Sequence, residues 1–204
     1  MPAQQKLGGA LNRAPMSAIA ATRPYCIPAP LRDLVMLDLL ELTGSTTVTA
    51  EFLSMSQPSV SRRYRSVARE LGLRRQGDAP LGRRYADTPW MPWLRKGVNH
   101  HRLAHGVLRV GGAPALESRL AEAPWAHWVR LGRQQQQRWR SLLTLELLDA
   151  VAMAEHPELS EEDTARLALL EVQSPQPEPV ILICRRDPLV LAVCNRICGL
   201  AERP

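Results

Sequence analysis

The run SQPSVSRRYRSVARELG, residues 56–72, is the segment that most narrows what this chain can become. Val60, Tyr64, Val67 and Leu71 recur at i, i+4, i+7 and i+11, within about 40° of one face at about 100° per residue. Ser56 or Gln57 can cap such a helix, and Pro58 falls in its first turn, where a missing N–H costs nothing. On the same wheel Ser59, Arg62, Arg63 and Ser66 cluster opposite the apolar stripe, with Arg65 and Arg69 flanking them. One face is core; the other is small hydroxyls and guanidiniums. A helix entering a DNA major groove needs that division. Small residues near its start let the backbone approach, arginines reach base edges or phosphates, and the positive helix end favours phosphate.

The flanking segments extend the pattern. LRDLVMLDLLEL, Leu31 to Leu42, predicts a leucine-dense helix stopped by Thr43-Gly44. A short helix is expected from about Thr47 to Ser54, with Thr46 as its cap. After the arginine-bearing helix, LRRQGDAPLGRRY reads as a hairpin with its tip near Gly77-Asp78. Its arms carry Arg74, Arg75, Arg83 and Arg84, placed as the wing of a winged helix to touch sugar–phosphate. Residues 62–109 hold twelve Arg/Lys against three Asp/Glu, whereas residues 110–204 hold ten against thirteen. A basic block beside an acidic remainder is the footprint of a polyanion-binding module.

These residues resemble the LysR-type transcriptional regulators. The resemblance rests on Gly44-Ser45, Ala50, Leu53, Ser56-Gln57-Pro58-Ser59-Val60-Ser61, Arg62, Glu70 and Leu71-Gly72, with the Ser45-to-Ser56 spacing kept. It implies a winged helix-turn-helix that binds double-stranded DNA as a dimer, with Gln57, Ser59, Ser61, Arg62 and Arg63 at the groove or adjacent backbone. Three features depart from the family pattern. Arg74-Arg75 replace the Phe and acid that follow Leu-Gly-Leu, and Thr49 stands for a small alanine. The linker DTPWMPWLRKGVNHHRLAHG is short and interrupted by Pro89, Pro92 and Gly97. A helix from Pro92 to His105 would span about 21 Å at about 1.5 Å per residue, with Trp90, Trp93 and Leu94 available for pairing or internal packing.

GVLRVGG (106–112) resembles the strand that opens the family's effector domain. Residues 145–172 and 178–200 resemble its closing segments, read as helix, helix, strand, helix, with Leu142, Leu145 and Val151 on one helix. From the opening strand to the end of the closing segments the chain is about half the usual length, so the resemblance implies that the second effector lobe is largely missing.

The expected fold is mainly α with a small α/β part. It comprises a disordered tail (1–29), a winged helix-turn-helix (30–86), a linker helix (87–106) and a one-lobe effector-like or dimerisation domain (107–204). The DNA-binding set is Gln57, Ser59, Ser61, Arg62, Arg63, Arg65, Ser66, Arg74, Arg75, Arg83 and Arg84. No cofactor, metal or membrane span is expected, and the compartment is the reducing cytoplasm, with the last three cysteines as small buried hydrophobes. His100, His101 and His105 read as a solvated face, and no nucleophile–base pair or phosphate loop suggests an enzyme. The function expected is a sequence-specific transcriptional regulator acting as a homo-oligomer with little small-molecule gating. The alternative is a protein–protein module that hetero-oligomerises with full-length LysR-type regulators.

Overall fold

A computed structural model describes residues 25–120, 123–172 and 179–197. Helix α1 (Arg32–Thr43) is apolar around most of its circumference, and it is buried from Val35 to Thr43. Met36, Leu37 and Leu40 face one core with Ala50, Val60, Val67, Leu73, Tyr85 and Met91. Val35, Leu39 and Leu42 face a second core, with Val98, Val129, Leu131, Leu142, Leu148, Val151 and Ile183. The helix is therefore shared between the N-terminal helices and the C-terminal half.

Gly44 ends α1 at φ 66°, the left-handed conformation that glycine adopts without steric cost. The cap of α2 (Thr46–Phe52) is Ser45, not Thr46: its hydroxyl accepts from the Val48 N–H at 3.3 Å. Ser56 caps α3 (Gln57–Glu70) by accepting from the Ser59 N–H at 3.3 Å. Val60 and Val67 enter the core as the periodicity predicts, while Leu71 lies just past the helix end and is exposed.

Residues 73–90 form no strand, so the expected hairpin is a loop with one cross-bond, Gln76 N–H to the Arg84 carbonyl at 2.8 Å. Its donors are used elsewhere. The Gly82 and Tyr85 N–H groups donate to the Glu41 carboxylate at 2.7 and 2.9 Å, and Gly82 has φ 97°. Helix α4 (Met91–Ala104) lies where a helix is expected from Pro92 to His105, and it packs against α1.

A five-stranded mixed sheet follows in the order β2-β1-β3-β5-β4. Strand β1 (Leu108–Gly112) runs parallel to β2 (Ala126–Arg130) and β3 (Ala150–Met153). Strand β5 (Val180–Arg185) is antiparallel to β3 and to β4 (Leu167–Val172). Short helices α5 (Glu117–Leu120), α6 (Arg133–Gln137), α7 (Trp139–Thr144) and α8 (Glu161–Arg166) connect the strands, and α9 (Pro188–Ile197) closes the described chain. The α/β part is thus larger than expected. Residues 150–153 and 167–172 are strands rather than helices; Leu142 belongs to α7, Leu145 follows it, and Val151 is on β3. Both short apolar runs are satisfied by pairing with β5, a non-local partner that their own periodicity does not reveal. A Ser160–Asp163 capping box starts α8, the Ser160 hydroxyl accepting from the Asp163 N–H at 3.1 Å.

Helices cover both faces. Leu108, Val110, Leu182 and Cys184 pack with Val190, Val193 and Cys194 of α9 on one side, while Val151 and Ile183 meet α7 and α1 on the other. Cys184 and Cys194 are core residues with their sulfurs 3.5 Å apart; Cys198 lies outside the described residues. The expected tail is divided likewise: residues 1–24 lie outside the description, while the Tyr25 hydroxyl is 3.1 Å from His101 Nδ1. Among the described residues no helix is long and apolar enough to cross a membrane.

Candidate nucleic-acid interface

Helix α3 is held by its apolar side. Tyr64 is half-buried, its ring edge-on to Tyr85 at 5.5 Å, between the buried Val60 and Val67. The opposite side carries the polar residues singled out in the sequence. The exposed Gln57 donates to the Thr46 hydroxyl at 2.9 Å and the Ser61 hydroxyl at 3.1 Å, linking α2 to α3. Ser59 Oγ lies 2.7 Å from Ser56 Oγ, and the exposed Arg62 reaches Ser59 Oγ at 3.4 Å. Arg65 donates to the Ser61 carbonyl at 3.3 Å, and Ser66 donates to Glu70 at 2.8 Å.

Arg63 differs. Its Nε and Nη2 each lie 2.6 Å from a carboxylate oxygen of Asp33, in the first turn of α1. The hydrogen bond to Asp33, followed by that group's charge, raises the Arg63 pKa above its ordinary value. Asp33 was not visible as a partner in the sequence, since thirty positions separate the two residues.

The loop arginines divide. Arg74 is exposed, Arg75 lies over the Tyr85 ring at 5.3 Å, and Arg83 is 3.8 Å from Asp87. Arg84 instead turns inward: its Nε is 3.2 Å from the Glu41 carboxylate and its Nη2 donates to the Glu41 carbonyl at 2.6 Å. Glu41 is 1% exposed, so this guanidinium balances a buried charge rather than facing solvent.

A second group of arginines lies in the interior. Asp38 of α1 accepts from Arg95 of α4 at 2.7 Å and lies 3.6 Å from Arg109 of β1. Asp149, at the start of β3, pairs with Arg102 and accepts from Arg185 at 2.9 Å and from the Arg109 N–H at 2.7 Å. Burial opposes the Asp149 charge, but Arg102 and Arg185 outweigh it and bring its pKa to about 2. Burial, with some relief from Asp38 and Asp149, lowers Arg109 to about 10.

Between α1, α2 and β2 lies an open cleft of about 1220 Å³, lined by Arg32, Asp33, Phe52, Met55, Trp128 and Arg130 among others. Beside it Tyr25 packs between the rings of His101, His105 and His127. Among the described residues no cluster of His, Cys, Asp and Glu is arranged to hold a metal.

No family model matches the sequence, and no curated protein matches it. Solved structures do. A full-length OxyR variant from Pseudomonas aeruginosa is 18% identical, with 70% of this chain and 54% of that one covered at a TM-score of 0.34. An OxyR mutant from Corynebacterium glutamicum is 20% identical, over 74% of this chain and 52% of that one, at 0.32. CrgA, a LysR-type transcriptional regulator from Neisseria meningitidis, is 17% identical, over 69% and 52%, at 0.29. The chain spans about half the length of these proteins. Superpositions this loose leave their activities with them.

Proposed function

We propose that this protein is a sequence-specific DNA-binding regulator of transcription, with α3 as the helix that enters the major groove. The observation that carries the reading is the outer side of α3. Among the described residues, Arg62 and Arg65 are exposed there with only neutral oxygens as partners, beside the small hydroxyls of Ser59 and Ser61 near the helix start. Guanidiniums without carboxylates bring their full charge to phosphate or to a guanine edge. Arg74, Arg75 and Arg83 extend this surface along the loop, whereas Arg84 is occupied by Glu41 and drops out of the contact set.

Pairing of two copies would place two such helices in successive major grooves. Trp93, 73% exposed on α4, supplies an apolar surface for that pairing, with Leu94 beside it. Little small-molecule gating is part of this reading.

Fluorescence anisotropy of the full chain against labelled duplexes tests it. Binding should weaken steeply between 50 and 200 mM salt, and one duplex selected from a random pool should bind at least tenfold tighter than the pool. Salt-independent binding, or none, removes the reading.

A further inference from the structure

We propose that Asp33 is a specificity-determining residue of the DNA-facing surface, because it holds Arg63 in a two-point ion pair that a lone phosphate cannot profitably replace. The inference rests on the DNA-binding reading above and deepens it.

The geometry is fork to fork. Two guanidinium nitrogens of Arg63 meet the two carboxylate oxygens of Asp33 at 2.6 Å each, the bidentate arrangement that orients as well as attracts. Asp33 is the better fixed partner. Its side chain is 27% exposed against 56% for Arg63, and it lies in the first turn of α1, where the helix dipole favours a carboxylate. Among the described residues, the neighbouring Arg62 and Arg65 are held only by a serine hydroxyl and a backbone carbonyl. One turn of α3 therefore carries two uncommitted guanidiniums and one committed one.

Commitment changes what Arg63 gains from DNA. Moving it to an isolated phosphate exchanges one anion for another and leaves the Asp33 charge unpaired beside a polyanion. Such contacts, alike on every sequence, then add almost nothing. A guanine edge is neutral: the ion pair uses Nε and Nη2 on one side of the fork, so its Nη1–Nη2 end can meet O6 and N7 with Asp33 still in place and no anion beside the carboxylate. The acid thus suppresses wrong sites more than right ones, which is how a repulsive group raises selectivity.

The test uses the full chain and two duplexes, a random-sequence one and the one that wild type enriches from a random pool. Asp33→Asn, nearly isosteric, should tighten binding to the random duplex by about threefold and steepen its salt slope by about 0.9, one added phosphate contact. The ratio between the two duplexes should fall. In an Arg63→Gln background the same substitution should change neither quantity. If Asp33→Asn lowers the melting temperature, Asp33→Ser, which keeps a polar group at the helix start, should reproduce the slope change. An unchanged or weaker random-duplex affinity overturns the proposal, as does a gain that persists without Arg63, since Asp33 would then act as a general repulsive charge. Wild type that binds neither duplex in a salt-dependent way overturns the DNA reading itself. Wild type that binds normally while Asp33→Asn is silent overturns this inference alone.

Discussion

Two sets of arginines in this protein have the same chemistry and opposite consequences. Arg95, Arg102, Arg109 and Arg185 are enclosed between α4 and the sheet, with Asp38 and Asp149 as their counter-ions. Arg62, Arg65, Arg74 and Arg75 stand on the surface of α3 and the following loop. In the interior, removing one partner strands a charge in a medium that cannot solvate it, so the pairs bear on folding. At the surface water solvates the guanidinium, its removal barely affects the fold, and its charge remains available to a polyanion. Arg63 and Arg84 fall between, each tied to one acid at the boundary. A count of basic residues along the chain merges three different roles.

The sharpest way to break this comparison is inside. Asp149→Asn leaves Arg102 and Arg185 without their shared carboxylate and should cost about 3–5 kcal/mol, measured by urea unfolding. The sign in pH follows from its depressed pKa. This carboxylate's stabilisation is complete above its unfolded value of 3.8 and is lost as pH falls toward about 2.

At the surface, Arg62→Ala with Arg63→Ala should abolish selective DNA binding while unfolding stability stays within about 0.5 kcal/mol. A double variant that unfolds would transfer these side chains to the structural class.

Arg84 and Arg74 sharpen the boundary. Arg84→Ala should cost about 1–3 kcal/mol, because Glu41 loses its only paired guanidinium among the described residues, and should leave the salt slope of DNA binding unchanged. Arg74→Ala should do the reverse, lowering the slope by about one with no change in preferred sequence.

The last expected effect, absent at neutral pH and growing only as the solution is acidified, is at His127. Burial, then Arg102 and Arg109, lower its pKa to about 4. The unfolded chain binds its proton first, so stability should decline as pH falls from about 6.5 toward about 4. His127→Gln should flatten that part of the curve in thermal melts across pH; an unchanged curve would place the acid sensitivity elsewhere.

What the sequence determined by itself is local. Val60 and Val67 define the buried side of α3 through a repeat that any helix must obey, and Ser56 marks its start because its hydroxyl satisfies a donor three residues on. Strands β1 and β5 and helix α9 fall where the resemblance to the LysR-type effector domain implies a strand, a strand and a helix, and α4 where a helix is expected from Pro92 to His105. Tertiary structure decided whatever depends on a distant partner. Residues 150–153 and 167–172 became strands because β5 pairs with both, and residues 73–90 stayed a loop because Glu41 takes the Gly82 and Tyr85 N–H groups. It also sorted the arginines. Whether a guanidinium is a fold element or a free charge depends on which carboxylate lies within about 4 Å of it, and Asp33, Asp38, Glu41 and Asp149 each reach theirs across 30 or more positions of chain.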